Sequence, residues 1–99
     1  MKEKSNIENV YEQIINFSKE FQTKKVVLFG SRARGTNHEK SDIDIAIYGC
    51  KEFDKLKDKI DEELWSLLGV DIINMDSKYI SDELIKEIEK DGVVLYEKV

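Results

Sequence analysis

The residues best suited to chemistry lie in the segment GSRARGTNHEKSDID, which covers positions 30–44. It opens with a Gly-Ser pair at the end of one apolar run and closes with Asp42 and Asp44 at the start of the next. Alternate residues of a strand point to the same face, so this spacing places both carboxylates together. Two like charges at that separation repel each other, and burying them without a counter-charge is unfavourable. The pattern therefore predicts a compensating positive charge close to the two aspartates.

Two well-known loops that bind phosphate or calcium do not fit this segment. Its glycines have the spacing of a P-loop, but Thr36 and Asn37 stand where Lys and Ser or Thr are required. An EF-hand needs oxygen ligands at alternating positions, and the run DIDIAIYG has Ile and Ala there. Both classes of loop are therefore excluded.

The Gly-Ser pair and the aspartate pair together suit a nucleoside triphosphate. Gly30 has no side chain to obstruct a phosphate, and the hydroxyl of Ser31 can donate a hydrogen bond to a phosphate oxygen. Arg32 and Arg34 add positive charge nearby. The two aspartates can hold one or two Mg²⁺ ions that bridge the same phosphates. The segment thus predicts a site for a nucleotide and a divalent metal ion.

Helices and strands alternate along the chain. Apolar residues recur at helical spacing in three stretches, which predicts helices over 5–21, 53–69 and 81–92. Short apolar or alternating runs predict strands over 24–30, 41–49, 70–75 and 93–96. Few strands in this order predict an α+β fold, in which helices pack on a small mixed sheet.

Residues near the ends of these helices have the types expected of caps. Ser5 and Glu8 have the pattern of a capping box at the start of the first helix. Gly69 is the expected C-terminal cap of the second helix, and Ser81 is the expected N-cap of the third. The polar connection over 31–41 is where we expect function, because long connections in small domains are usually functional.

Length and composition restrict the class of protein. The chain has 99 residues, which fits a single domain over 1–99. Its net charge is −5, and an acidic chain is poorly suited to bind the phosphate backbone of a nucleic acid. No apolar stretch approaches the ~20 residues of a membrane span, and the N-terminus has no signal-peptide core. The single cysteine, Cys50, cannot form an internal disulfide, so we expect a cytoplasmic protein.

The spacing of the two motifs resembles a known signature. A Gly-Ser pair, ten intervening residues and Asp-x-Asp are similar to the minimal nucleotidyltransferases of the DNA polymerase β-like superfamily. LFGSRARG and SDIDI have the order of that signature, and VDII supplies a third carboxylate at Asp71. The resemblance implies a nucleotidyltransferase palm, ATP or another nucleoside triphosphate as donor, and magnesium held by Asp42, Asp44 and Asp71. It also implies that Asp71 is the base that activates the acceptor hydroxyl.

Small members of this family act beside a partner protein. Among them are the MntA-type antitoxins of HEPN/MNT toxin–antitoxin pairs. These antitoxins neutralise a helical HEPN-domain toxin, in some cases by transferring AMP to it. For this chain, the resemblance implies adenylylation of a hydroxyl in a HEPN-type partner, and we expect that hydroxyl to belong to a tyrosine.

Three alternatives stay open from the sequence. Asp76 competes with Asp71 as the third carboxylate, because single acidic residues near strand ends are common. The apolar stripe over 64–68, around Trp65, is wider than one helix face needs and suits either the core or contact with another copy of the chain. The chain could also be a binding module that neutralises its partner by sequestration. The intact aspartate pair favours the enzyme.

Overall fold

The computed structural model describes residues 6–99, so the capping box that we predict at Ser5 lies outside the described residues. The helices are Asn6–Glu20 (α1), Ser31–Arg34 (α2), Phe53–Glu63 (α3) and Asp82–Asp91 (α4). The strands are Lys25–Phe29 (β1), Ile43–Tyr48 (β2), Val70–Asn74 (β3) and Val93–Glu97 (β4). No helix within residues 6–99 is both long and apolar enough to cross a lipid bilayer.

The four strands form one mixed sheet in the order β3-β2-β1-β4. The central strand β1 is antiparallel to both β2 and β4, whereas β2 and β3 are parallel. Both faces of β1 are buried, each in one of the two hydrophobic clusters of the core, and this explains its continuous apolar run. The predicted α+β class, with helices on a small mixed sheet, is confirmed.

The alternation of β2 divides the core between the two faces of the sheet. Ile43, Ile45 and Ile47 are fully buried on one face, in a cluster with residues of α1 and α3. On the other face, Ala46 packs with residues of β1 and with Ile88 of α4. Burying one such aliphatic side chain contributes about 1.5–3 kcal/mol. Because side chains alternate, Asp44 is on the α4 side of the sheet.

The helix predicted over 53–69, which is α3 in the structure, is shorter than expected. It ends at Glu63 and not near Gly69. The side-chain amide of Gln13 on α1 accepts a hydrogen bond from the Trp65 amide at 2.9 Å and donates one to the Trp65 carbonyl at 3.0 Å. Both main-chain polar groups of Trp65 are thus paired outside a helix, and Leu64 is already extended. The prediction that Gly69 caps this helix is wrong.

The polar connection between β1 and β2 contains a helical turn that the sequence did not predict. The carbonyl of Gly30 accepts hydrogen bonds from the amides of Ala33 and Arg34, each at 3.1 Å, and these bonds define α2. Gly35 ends the turn in the left-handed conformation. At the other end of the chain, the predicted N-cap is confirmed, because the Ser81 hydroxyl accepts from the Leu84 amide at 3.2 Å.

Candidate functional site

The register of the sheet brings the predicted acids together at one edge. Asp44 lies opposite Asp71 on the parallel neighbour β3, and opposite Phe29 at the end of β1. Paired residues of neighbouring strands point to the same face, so the two aspartates are side by side. Asp42 immediately precedes β2, and Gly30 follows β1. Both motifs of the sequence thus meet at this edge, together with the third acid.

Gly30 is needed where it lies for two reasons. Its φ of 77° and ψ of −156° belong to a backbone region that is essentially restricted to glycine. A Cβ built on Gly30 would also overlap the carboxylate of Asp44. The absence of a side chain therefore allows the turn into α2 to approach the acid directly.

Gly69 has an equivalent place beside the first aspartate and not at the end of a helix, where it was predicted. Its carbonyl accepts a hydrogen bond from the Ile43 amide at 2.9 Å, which joins the start of β2 to the segment before β3. A Cβ added to Gly69 would lie 2.8 Å from Oδ1 of Asp42. A glycine directly before a strand can signal such a close approach, but the sequence does not reveal to which residue.

The site has an excess of negative charge. Burial, followed by the charges of Asp71, Asp42 and Glu87, raises the pKa of Asp44 above its ordinary value of 3.8. The positive charge of Arg34 acts in the opposite direction, but it does not compensate for the others. A group of acids that raises the pKa of one of its members favours binding of a cation.

Arg34 and Glu87 extend the site onto α4. Nη1 of Arg34 lies 3.4 Å from Oε2 of Glu87, and both side chains are partly exposed. The predicted position of Arg34, close to the aspartates, agrees with its effect on Asp44. Glu87 was missed, because only the packing of α4 against the sheet brings it here and no local motif marks it.

Arg32 has a different environment from the one its predicted phosphate contact suggests. Its guanidinium donates to the main-chain carbonyl oxygens of His38, Glu39 and Ser41, at distances from 3.0 to 3.4 Å. The structure thus ties Arg32 to the loop that precedes Asp42. Contact of this residue with a phosphate stays a prediction.

The structure separates the two candidates for the third carboxylate. Asp76 lies after the far end of β3, where its Oδ2 accepts a hydrogen bond from the Gly49 amide at 2.9 Å. Asp71, by contrast, lies in register with Asp44. Geometry therefore groups Asp71, and not Asp76, with the other acids.

The residues at this edge fit a hard divalent cation. Carboxylate oxygens are the ligands that Mg²⁺ prefers, and Asp42, Asp44 and Asp71 supply them from neighbouring backbone positions. Within residues 6–99, no three Asp, Glu, His or Cys side chains already form a coordinating set. The acids would have to turn about their side-chain bonds to share an ion, and the exposed side chains of Asp42 and Asp71 are free of packing that would prevent it.

A cleft of about 970 Å³ opens beside Asp42. It is lined by α1, by Arg32 and the loop over 37–42, and by the loop over 66–69. Its volume is in the range of small-molecule sites. Leu67, which lines this cleft, and the preceding Trp65 and its neighbours carry the predicted contact with another copy of the chain; Trp65 is 58% and Leu67 79% exposed, and that contact stays a prediction.

Comparison with known proteins identifies the family. Residues 12–99 match the family described as "Polymerase beta, Nucleotidyltransferase". The match covers most of the 99 residues, so the chain belongs to this family of nucleotidyltransferases. The family resemblance inferred from the two motifs is thereby confirmed.

Individual relatives carry more specific names. Over 35 residues the chain is 57% identical to MJ0604 of Methanocaldococcus jannaschii, which is provisionally named a protein adenylyltransferase, and this match spans 35% of each protein. The fold is similar to that of a solved toxin–antitoxin with AMP-PNP, with a TM-score of 0.68, 27% identity, and coverage of 89% of this chain and 73% of that one. A mutant of the toxin–antitoxin MntA-HpeT has a TM-score of 0.66 and 28% identity, with coverage of 88% and 72%.

Proposed function

We propose that this nucleotidyltransferase transfers AMP from ATP to a hydroxyl of a partner protein, in a reaction that depends on magnesium. The observation that carries the proposal is the register of β2 and β3, which sets Asp44 beside Asp71 and next to the glycine turn at the end of β1. An acidic edge that adjoins a turn without side-chain obstruction suits a metal–nucleotide complex better than it suits a free anion.

The triphosphate is held by the turn that follows β1. Gly30 permits close approach of the phosphates, and the Ser31 hydroxyl donates a hydrogen bond to a phosphate oxygen. Arg34 supplies positive charge from α2, because its contact with Glu87 at 3.4 Å is exposed and therefore weak. Arg32 is the fourth residue of the predicted nucleotide site, and two of its guanidinium nitrogens already donate to carbonyls of the 38–41 loop.

Asp42, Asp44 and Asp71 hold the metal, and their charges become favourable once it is bound. A bound Mg²⁺ would supply positive charge against the phosphates at this place. In the free protein, burial and the charges of Asp71 and Asp42 raise the pKa of Asp44, so its ionised form is disfavoured there. The acids thus lower the stability of the free chain and raise its affinity for the metal–nucleotide complex.

Asp71 accepts the proton of the acceptor hydroxyl. The hydroxyl oxygen forms a bond with the α-phosphorus, the bond from that phosphorus to the bridging α–β oxygen breaks, and pyrophosphate leaves. Asp71 suits the role of base because its side chain is exposed while its backbone is fixed in β3. General-base assistance of this kind contributes typically ~10²–10⁴-fold in rate.

The acceptor is the hydroxyl of a tyrosine in a helical HEPN-type toxin, and the chain serves as its antitoxin. The names of the relatives support a protein acceptor, since one is provisionally a protein adenylyltransferase and others are toxin–antitoxin structures. The net charge of −5 also disfavours a nucleic-acid acceptor. Adenylylation adds a bulky, charged group to the toxin and thereby silences it. This reaction belongs in the cytoplasm, where ATP is available and the buried thiol of Cys50 stays reduced.

The test combines the protein with ATP, Mg²⁺ and the product of the neighbouring gene, followed by intact-mass measurement of that product. One or more AMP additions are expected with ATP. They are also expected with the β,γ-imido analogue, because the α–β linkage that must break is unchanged in it. The α,β-methylene analogue should give none.

Two variants serve as controls. The Asp44→Asn variant should bind the partner and leave its mass unchanged, whereas Asp76→Asn should still transfer AMP, because Asp76 lies at the opposite end of β3. Tight binding of the partner without any mass change, even at high ATP, would replace this proposal with neutralisation by sequestration.

A further inference from the structure

Arg32 makes an unusual number of hydrogen bonds to one short stretch of main chain. Its Nε donates to the Ser41 carbonyl at 3.1 Å, and its Nη2 donates to the same oxygen at 3.0 Å. Nη2 also contacts the carbonyls of Glu39 at 3.0 Å and His38 at 3.4 Å. All four contacts go to backbone oxygens and none of them to a carboxylate.

A second element is joined to the same guanidinium. Burial raises the pKa of Tyr11 on α1, while the charge of Arg32 and its hydrogen bond to the Tyr11 side chain act to lower it. Arg32 therefore connects α1, α2 and the loop over 38–41. These residues lie up to 30 positions apart in the chain, so the connection is tertiary and not a local turn.

The carbonyl that receives two of these bonds belongs to the peptide group that precedes Asp42. Fixing the Ser41 oxygen fixes the plane of that peptide, and with it the direction from which the Asp42 side chain leaves the backbone. On the other side of Asp42, the Ile43 amide is bonded to the Gly69 carbonyl at 2.9 Å. Hydrogen bonds thus fix the backbone on both sides of Asp42, and Arg32 donates those on one side.

We infer that Arg32 is a positioning residue, which orients Asp42 toward the metal by holding the loop over 38–41. The inference rests on the proposed function, because it gives Asp42 a metal to bind. It differs from the phosphate contact expected from the sequence, since Nε and Nη2 of the guanidinium already donate to three carbonyls. Arg34 has a single exposed ion pair at 3.4 Å and remains the better phosphate ligand.

Lysine cannot replace arginine in this role. The planar guanidinium presents several donors in a fixed fork, which matches three carbonyls in a row, whereas the lysine ammonium is one point charge on a flexible stem. An Arg32→Lys variant keeps the positive charge and loses the fork. It therefore separates a positional effect from an electrostatic one.

The first measurement follows hydrogen exchange of the metal-free protein. Arg32→Ala and Arg32→Lys should both exchange faster than wild type in peptides that cover 38–43. The matched control Arg34→Ala should keep the wild-type rate there, because the side chain of Arg34 bonds to Glu87 on α4. Wild-type exchange in both Arg32 variants would overturn the inference, whatever the fate of the proposed function.

The second measurement titrates Mn²⁺, as a spectroscopic substitute for Mg²⁺, and separates kcat from KM for ATP. Both Arg32 variants should bind Mn²⁺ about 10–100-fold more weakly, the usual effect of removing a partner that orients a metal ligand. High Mn²⁺ should restore their kcat, and their KM for ATP at saturating metal should stay near that of wild type. Arg34→Ala should instead raise the KM for ATP.

The possible failures are distinguishable. A raised KM for ATP with unchanged Mn²⁺ affinity in Arg32→Ala would make Arg32 a phosphate ligand and overturn the inference, while the proposed function would stand. Absence of Mn²⁺ binding by the wild-type protein would overturn both.

Discussion

The two ends of the β2–β3 strand pair both carry aspartates, but the hydrogen bonds and charges around these aspartates differ. At the far end, Asp76 accepts a hydrogen bond from the Gly49 amide at 2.9 Å, and its own amide donates to Asn74. At the near end, Asp44 faces Asp71 across the strands, and burial, followed by the charges of Asp71 and Asp42, raises the pKa of Asp44. One acid completes a turn, whereas the others are brought together without sufficient counter-charge.

This difference distinguishes a structural acid from a functional one. A carboxylate that accepts a backbone hydrogen bond adds a contact that stabilises the fold. Neighbouring carboxylates that repel each other do not, and sequences tolerate such local conflicts mainly where function requires them. The contrast therefore assigns fold stability to the Asp76 end and ligand binding to the Asp44 end.

The largest effect is expected from the aspartate pair. Asp42→Asn or Asp44→Asn should reduce AMP transfer to background, because each removes a carboxylate from the metal site. The folded state should persist, since the amide is isosteric and relieves repulsion at Asp44. A transfer assay together with thermal unfolding checks this, and full activity in either variant would contradict the metal assignment.

The next prediction compares one aspartate from each end of the strand pair, Asp71 and Asp76. Asp71→Asn should lower the transfer rate by ~10²–10⁴-fold with little change in stability. Asp76→Asn should keep the transfer rate and lower the free energy of unfolding by about 1 kcal/mol, because it weakens the contact with the Gly49 amide. Rate measurements and urea unfolding of both variants check the pair. The reverse assignment of effects would mean that the two ends have been confused.

A smaller effect is expected from the glycine that adjoins the acids. Gly30→Ala should lower stability by about 1–3 kcal/mol, because of its positive φ, and should weaken ATP binding because the new Cβ meets Asp44. Gly35→Ala is the control: φ is 78° there, yet a Cβ would meet nothing within 4 Å. It should lose stability and keep its ATP affinity in calorimetry. Equal ATP affinities in the two variants would place the nucleotide elsewhere.

The smallest effect concerns pH. The folded chain binds the Asp44 proton more tightly than the unfolded chain, because the pKa of that carboxyl is raised above 3.8. As the pH rises from that value through the folded-state pKa, wild type should lose stability relative to Asp44→Asn, and the difference should then level off. Urea unfolding in EDTA across this pH range measures the difference. A gain in the stability of wild type relative to Asp44→Asn as the pH rises would contradict the raised pKa.

Local patterns were sufficient to predict much of the acidic end. The alternation of β2 placed Asp42 and Asp44 on the face opposite to Ile43, and the glycine turn marked the end of β1. These features depend on neighbours within a few residues, which a sequence displays directly. The pairing of β3 with β2 then brought Asp71 to the expected place.

Long-range contacts account for what the sequence did not reveal. Helix α3 ends earlier than predicted because Gln13 pairs with the backbone of Trp65, 52 positions away. Glu87 reaches Arg34 across 53 positions. Arg32 binds the carbonyls of a loop for which no motif predicts a conformation. In each case a polar side chain selects a backbone or charge partner that only the folded chain brings near.

The most direct test of the central claim is a calorimetric titration of ATP into wild type and Asp44→Asn, each with Mg²⁺ and with EDTA. If the acidic end of β2–β3 binds a metal–nucleotide complex, wild type should bind ATP tightly only with Mg²⁺, and Asp44→Asn should weaken that binding. In EDTA the order should reverse, because the variant removes a negative charge that repels the free triphosphate. Equal affinities with and without Mg²⁺, or a variant that binds like wild type in both conditions, would contradict the account.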